Sequence, residues 1–143
     1  MRTHGALARG VCKLEVMMAI GTSGKHIILD LWGVKPRFLR SRDFVRKALL
    51  NAQQCSGATL IGKKFHKFTP EGISGYVLIA ESHISIHTWP ADGYASIDIY
   101  TCGDKTFPQR AADELIKSFT PSGYDIVSME RGNSTSKKLK ISR

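Results

Sequence analysis

Two stretches near the middle of the chain alternate apolar and polar side chains with a period of two. That pattern limits the fold more than any other feature. In His83-Ile84-Ser85-Ile86-His87 the isoleucines fall on one face of an extended chain, with His83, Ser85 and His87 on the other. In the next segment the same rule sets Ala95, Ile97, Ile99 and Thr101 against Tyr94, Ser96, Asp98, Tyr100 and Cys102. Two such strands in succession predict a sheet with one face packed against a second layer and the other left polar.

The second layer has candidates. Ser41 is a suitable N-cap for a helix whose apolar residues Phe44, Val45, Ala48, Leu49 and Ala52 share one side, and Gly57 is placed to end it. Pro108 opens a second helix with Ala111, Ala112, Leu115, Ile116 and Phe119 on one side. Strands are expected at His26–Trp32, Thr59–Phe65, Gly75–Ala80, His83–Thr88, Tyr94–Thr101 and Tyr124–Glu130. The order β-α-β-β followed by β-β-α-β predicts an α+β, two-layer sandwich: an antiparallel sheet with two amphipathic helices on one face.

With 143 residues, 42% of them hydrophobic, the chain is of single-domain size and can bury a core without metal or disulfide staples. Its apolar runs, such as Ile27–Leu29 and Val77–Ala80, are far short of the ~20 residues that span a bilayer. Three cysteines (Cys12, Cys55, Cys102) without a CxxC pair point away from a disulfide scaffold and toward a cytoplasmic setting. The net charge of +9 sits mostly at the ends, with +2 in residues 1–23 and +5 in residues 131–143, against +2 for everything between. With no interleaving of basic and aromatic residues, specific nucleic-acid binding is not expected. Residues 1–23 read as a disordered N-terminal extension, 24–131 as the single domain, and 132–143 as a basic flexible tail.

Reactive side chains concentrate in the two alternating segments, and the residues alone leave several readings open. They fit the solvent face of a sheet. They also fit a zinc site of His83, His87 and Cys102, although His residues four apart suit a helix face better than a strand. A Ser/His or Cys/His nucleophile is a third option, without a GxSxG elbow to support it.

One resemblance is specific. Glu81-Ser82-His83 through Trp89-Pro90, with Gly93-Tyr94-Ala95, Asp98 and Thr101-Cys102-Gly103, resembles the processing site of the small prokaryotic S-adenosylmethionine decarboxylases. The similarity extends upstream through Ser56-Gly57-Ala58-Thr59, Phe65-His66-Lys67-Phe68 and Gly72-Ile73-Ser74-Gly75, and covers the chain from Gly24 to about Gly132. It implies a proenzyme that cuts itself between Glu81 and Ser82, by attack of the serine hydroxyl on the preceding carbonyl and then β-elimination. The products are chains 1–81 and 82–143, with Ser82 converted to a pyruvoyl group. That group forms a Schiff base with the substrate amine and takes up electrons as carbon dioxide leaves, so neither pyridoxal phosphate nor a metal is called for.

The resemblance also implies roles. His87 transfers a proton in self-processing, Ser74 assists it, and Cys102 protonates the substrate carbon after decarboxylation. Phe68 stacks on the adenine, with Trp89 and Asp92 in the same binding region. The family usually carries Glu directly after the Trp-Pro pair, where it holds the ribose; this chain has Ala91 there and Asp92 one position on. S-adenosylmethionine is the expected substrate, for spermidine and polyamine synthesis. A pyruvoyl-dependent arginine or ornithine decarboxylase, or a non-catalytic partner subunit, are the alternatives. A cytoplasmic homodimer of self-cleaved αβ protomers is expected, without nucleic-acid or membrane partners.

Overall fold

In the computed structural model, which describes residues 22–132 and 139–142, the period-two segments become the middle of one antiparallel sheet. Its strands are β1 (Gly24–Trp32), β2 (Leu60–Lys67), β3 (Ile73–Ile79), β4 (Ser82–Trp89), β5 (Tyr94–Cys102), β6 (Gly123–Arg131) and β7 (Leu139–Ser142). They lie in the order β2-β3-β4-β5-β1-β6-β7. The helices are a single turn α1 (Pro36–Leu39), α2 (Arg42–Ser56) and α3 (Pro108–Phe119), and a 3-10 turn covers Pro90–Asp92. The two-layer α+β architecture expected from the sequence is the one found.

Local chemistry accounts for the helix boundaries. The Ser41 hydroxyl accepts from the Phe44 amide at 3.2 Å, satisfying one of the donors a helix start leaves over. Gly57 adopts φ 74, a left-handed conformation that costs a glycine little, and its amide closes on the Gln54 carbonyl. Pro108 occupies the first turn of α3, where a missing N–H is harmless. Both long helices then turn their apolar sides onto the sheet. Val45, Leu49, Ala52, Ala112, Leu115 and Phe119 are fully buried against Ile27, Leu29, Ile84, Ile86, Ile97 and Ile99. Each large side chain so buried stabilises the fold by about 1.5–3 kcal/mol. The opposite face of the sheet carries no layer among the described residues.

Three features were not expected. The turn α1 forms because Pro36 presets the dihedral of a helix start and Leu39 reaches the core, where the Leu39 carbonyl accepts from the Thr88 hydroxyl. The 3-10 turn forms for a like reason at Pro90 and ends at Gly93 with φ 61. The third is β7, which pairs Leu139–Ser142 against Ile126–Met129 within the stretch read as a flexible tail. An uncovered edge of β6 offers a row of free amides and carbonyls, and the extended backbone of Leu139–Ser142 pairs with it. The N-terminal extension lies outside the described residues except for Thr22 and Ser23.

Candidate active site

Register places the polar side chains. β4 pairs with β5 so that His83 faces Tyr100, Ser85 faces Asp98, and His87 faces Ser96. Across β4, β3 sets Ser74 opposite His87 and Leu78 opposite His83. Side chains alternate across a strand, so all of these stand on the uncovered face, as expected for His83, Ser85 and His87. The face divides into two groups at opposite ends of β4.

The first group surrounds Ser82. β3 and β4 are joined by a two-residue connection, Ala80-Glu81, closed by pairing of Ile79 with Ser82. Ser82 follows it with φ 148, one of two non-glycine residues with positive φ among the described residues. A conformation of this kind costs on the order of 1–3 kcal/mol and persists only where its surroundings hold it. Here they do. The Glu81 carboxylate accepts from the Thr59 amide at 2.9 Å and from the Thr59 hydroxyl at 3.1 Å. The Glu81 carbonyl, the one preceding Ser82, accepts from the Cys102 amide at 2.8 Å. The Ser82 hydroxyl lies 3.3 Å from Nδ1 of His83.

Behind Ser82 stands a set of ionisable groups. His26 donates from Nε2 to Asp98 at 3.0 Å, and its Nδ1 accepts from Arg131 at 3.4 Å. The Arg131 guanidinium also lies over the Tyr100 ring. That ring covers Gly24, the cross-strand partner of Cys102, and a Cβ at Gly24 would collide with it. Burial holds the His83 imidazole below its usual pKa; Asp98 opposes this, while His26 and Arg131 add to it. The balance favours the neutral form of the His83 ring.

The second group lies toward the far end of β4. The Ser74 hydroxyl and Nδ1 of His87 are hydrogen-bonded at 2.7 Å. Beside them opens a cleft of about 340 Å³, lined by Phe68, Ser74, His87, Trp89, Ala91 and Asp92 among others. Phe68 begins a tight loop, closed by its amide on the Gly72 carbonyl, and leaves its ring 47% exposed at the cleft. The 3-10 turn brings both Ala91 and Asp92 to this cleft, although neighbours in an extended chain would point apart. Trp32, Tyr94 and Trp89 stack beside it, with centroids 4.3 and 5.1 Å apart.

The sequence-derived candidates thus fall into two sets. Ser82, Glu81 and Cys102 gather at one end; Ser74, His87, Phe68, Trp89 and Asp92 gather at the other. His87 lies five positions along the strand from Ser82, about 16 Å at ~3.3 Å per residue. The zinc set of His83, His87 and Cys102 does not converge, and no group of three metal-binding side chains occurs among the described residues. The sequence motifs include Thr59 and His83, but assign Thr59 no role and His83 none beyond a possible zinc ligand or part of a Ser/His pair. The Thr59 contact comes from 22 residues away, where no local spacing signals it, and the Ser82–His83 contact, though between neighbours, depends on the unusual backbone at Ser82.

Comparison with known proteins gives this arrangement a family. Residues 25–132 match the family model described as S-adenosylmethionine decarboxylase. The S-adenosylmethionine decarboxylase proenzyme of Methanococcus vannielii is 46% identical over 109 residues, covering 76% of this chain and 89% of that one. The proenzyme of the same name from Thermodesulfovibrio yellowstonii is 42% identical over 116 residues, covering 81% and 84%. The crystal structure of the adenosylmethionine decarboxylase from Aquifex aeolicus superposes with a TM-score of 0.73 at 39% identity, covering 82% of this chain and 99% of that one. This chain, with its strained Glu81–Ser82 junction, belongs to the S-adenosylmethionine decarboxylase family.

Proposed function

We infer that this chain decarboxylates S-adenosylmethionine after cutting itself between Glu81 and Ser82, and that two copies combine to build each site. The junction carries the reading. Glu81 is fastened at both its carboxylate and its carbonyl, and Ser82 is held in a conformation that bond cleavage would relax. Attack of the Ser82 hydroxyl on the Glu81 carbonyl carbon forms an ester as the carbon–nitrogen bond breaks. The Cys102 amide, already 2.8 Å from that carbonyl oxygen, is placed to hold the negative charge it gains. Removal of the Cα proton of residue 82 then expels the Glu81 carboxylate from Cβ, and water releases ammonia from the resulting enamine.

Residue 82 fits a pyruvoyl group: it is half-buried, and Cys102 lies one residue beyond its partner Thr101 on the adjacent strand. Such a group supplies the carbonyl that takes the substrate amine and accepts electrons as carbon dioxide leaves. Cys102 holds the proton for the carbon that loses carboxylate. Phe68 offers a ring face to the adenine, and Asp92 offers a carboxylate to the ribose hydroxyls or to the sulfonium charge. The product is an aminopropyl donor for polyamine synthesis. The names of the relatives favour this substrate over arginine or ornithine. A cytosolic setting suits a working thiol, which disulfide formation would silence.

His87 and Ser74 cannot act on Ser82 of their own chain across about 16 Å. Two copies stacked by a two-fold axis through their uncovered faces bring the Ser82 end of one to the His87 end of the other, giving two equivalent sites. Exposed apolar rings on that face, including Trp32, Tyr76 and Trp89, each about 45% exposed, supply the surface such a contact would cover. The test is mass spectrometry of the purified protein. Fragments of 81 and 62 residues are expected, the smaller lacking ammonia and blocked to Edman sequencing, with release of carbon dioxide from S-adenosylmethionine. A chain that stays intact and inert overturns the reading.

A further inference from the structure

We propose that His83 is the base for the first step of self-cleavage, taking the proton of the Ser82 hydroxyl as it attacks the Glu81 carbonyl. The inference rests on the self-cleavage reading above and assigns one of its two proton transfers to this chain's own residue.

The two steps remove different protons. The first takes one from the Ser82 oxygen and must deliver one to the Ser82 nitrogen as the carbon–nitrogen bond breaks. The second takes one from Cα. The imidazole standing next to the Ser82 hydroxyl is His83, at 3.3 Å. His87 is bonded to Ser74 and lies about 16 Å along the strand. A hydroxyl aimed at Nδ1 needs that nitrogen unprotonated. The groups around His83 arrange this: Leu78 and Tyr76 on β3; Asp98, Tyr100 and Cys102 on β5; His26 on β1; Arg131 on β6. Burial favours the neutral ring, the carboxylate that acts against this, Asp98, is already engaged by His26, and the Glu81 carboxylate is engaged by Thr59.

The step balances without a co-reactant. His83 accepts the Oγ proton while the oxygen–carbon bond forms and the Cys102 amide holds the carbonyl oxygen. His83 then returns the proton to the departing nitrogen, leaving an ester, a free amine and a neutral imidazole ready for no further role. The partner's His87, brought over Ser82 in the stacked dimer, remains for the Cα proton. General-base removal of this kind is worth about 10²–10⁴-fold in rate.

The experiment compares full-length His83→Ala and His83→Asn with His87→Ala and wild type, following the 81- and 62-residue fragments with and without hydroxylamine, which cuts esters but not amides. Because the His83 ring is held below the ordinary imidazole value of 6.5, the wild-type rate should be level at and above that pH and fall only at lower pH. Both His83 variants should cleave about 10²–10⁴-fold more slowly, lose that acid limb, stay uncut by hydroxylamine, and regain rate with added imidazole. His87→Ala should instead yield fragments on hydroxylamine treatment. His83→Asn keeps a polar group of similar reach, so a folded, dimeric His83→Asn that cleaves at the wild-type rate overturns the proposal. So does hydroxylamine cleavage of either His83 variant, because it places the defect after the ester. Wild type that never cleaves overturns the self-cleavage reading instead.

Discussion

If each site is shared between two copies, two inactive variants should repair one another. Ser82→Ala removes the attacking oxygen, and His87→Ala removes the imidazole at the far end of β4. Within one chain these positions are five strand residues apart, about 16 Å, beyond any direct proton transfer. In a mixed dimer, the Ser82 of the His87→Ala chain meets the intact His87 of the Ser82→Ala chain, and the other site lacks both. Equal co-expression with random pairing puts about half of the dimers in the mixed form, so about half of the His87→Ala chains should be cleaved. Differently tagged chains, purified in tandem and resolved by mass, give the fraction directly. Each variant alone should give almost none. Cleavage of the Ser82→Ala chain is impossible on this scheme, which provides an internal control. If the mixed dimer is isolated and its His87→Ala chain stays whole, the site is not shared, and both proton transfers have to come from groups beside Ser82.

Other outcomes follow from single contacts. Cys102→Ala should still yield cleaved chains but turn over poorly, and mass spectra after turnover should show the small chain ending in alanine, because protonation then falls on the wrong carbon. Asp92→Ala should raise the KM for S-adenosylmethionine by roughly 10- to 150-fold, the equivalent of about 1.5–3 kcal/mol for a charge-assisted hydrogen bond, and Ala91→Glu should lower it; an unchanged KM in both removes this cleft wall from substrate binding. Burial, and then its 2.6 Å hydrogen bond to Asp30, push the Tyr94 phenol up to about 12. Its contribution to stability is complete below pH ~10 and falls as pH rises toward 12, because the unfolded phenol ionises first. Denaturant midpoints measured between pH 8 and 11.5 should therefore fall less steeply above pH 10 for Tyr94→Phe than for wild type.

What the sequence could and could not tell follows from the range of each interaction. The alternation in β4 and β5, the Ser41 cap, the Gly57 stop and the prolines at 36, 90 and 108 act within a few residues. Helices, strands and the polar face were legible from them, apart from two short turns whose proline signal was present but unused. β7 escaped because four residues of weak alternation become a strand only when an unpaired β6 edge lies beside them. The candidate residues were named through the Glu-Ser-His and Thr-Cys-Gly blocks, but their grouping could not be read from them. A period of two says that His83 and His87 share a face; it does not say that His87 belongs with Ser74, which precedes it by 13 residues, while His83 belongs with Ser82. Hairpin register decides that. The connection Ala80-Glu81 is two residues long, so Ser74 must fall opposite His87, and the pair is carried away from the bond it is expected to help cut. A tight hairpin thus sets two groups of polar residues at opposite ends of one strand, which the proposed dimer treats as two half-sites. On that proposal, a two-fold axis between stacked faces is the symmetric operation that would turn two such halves into two whole sites without altering either chain.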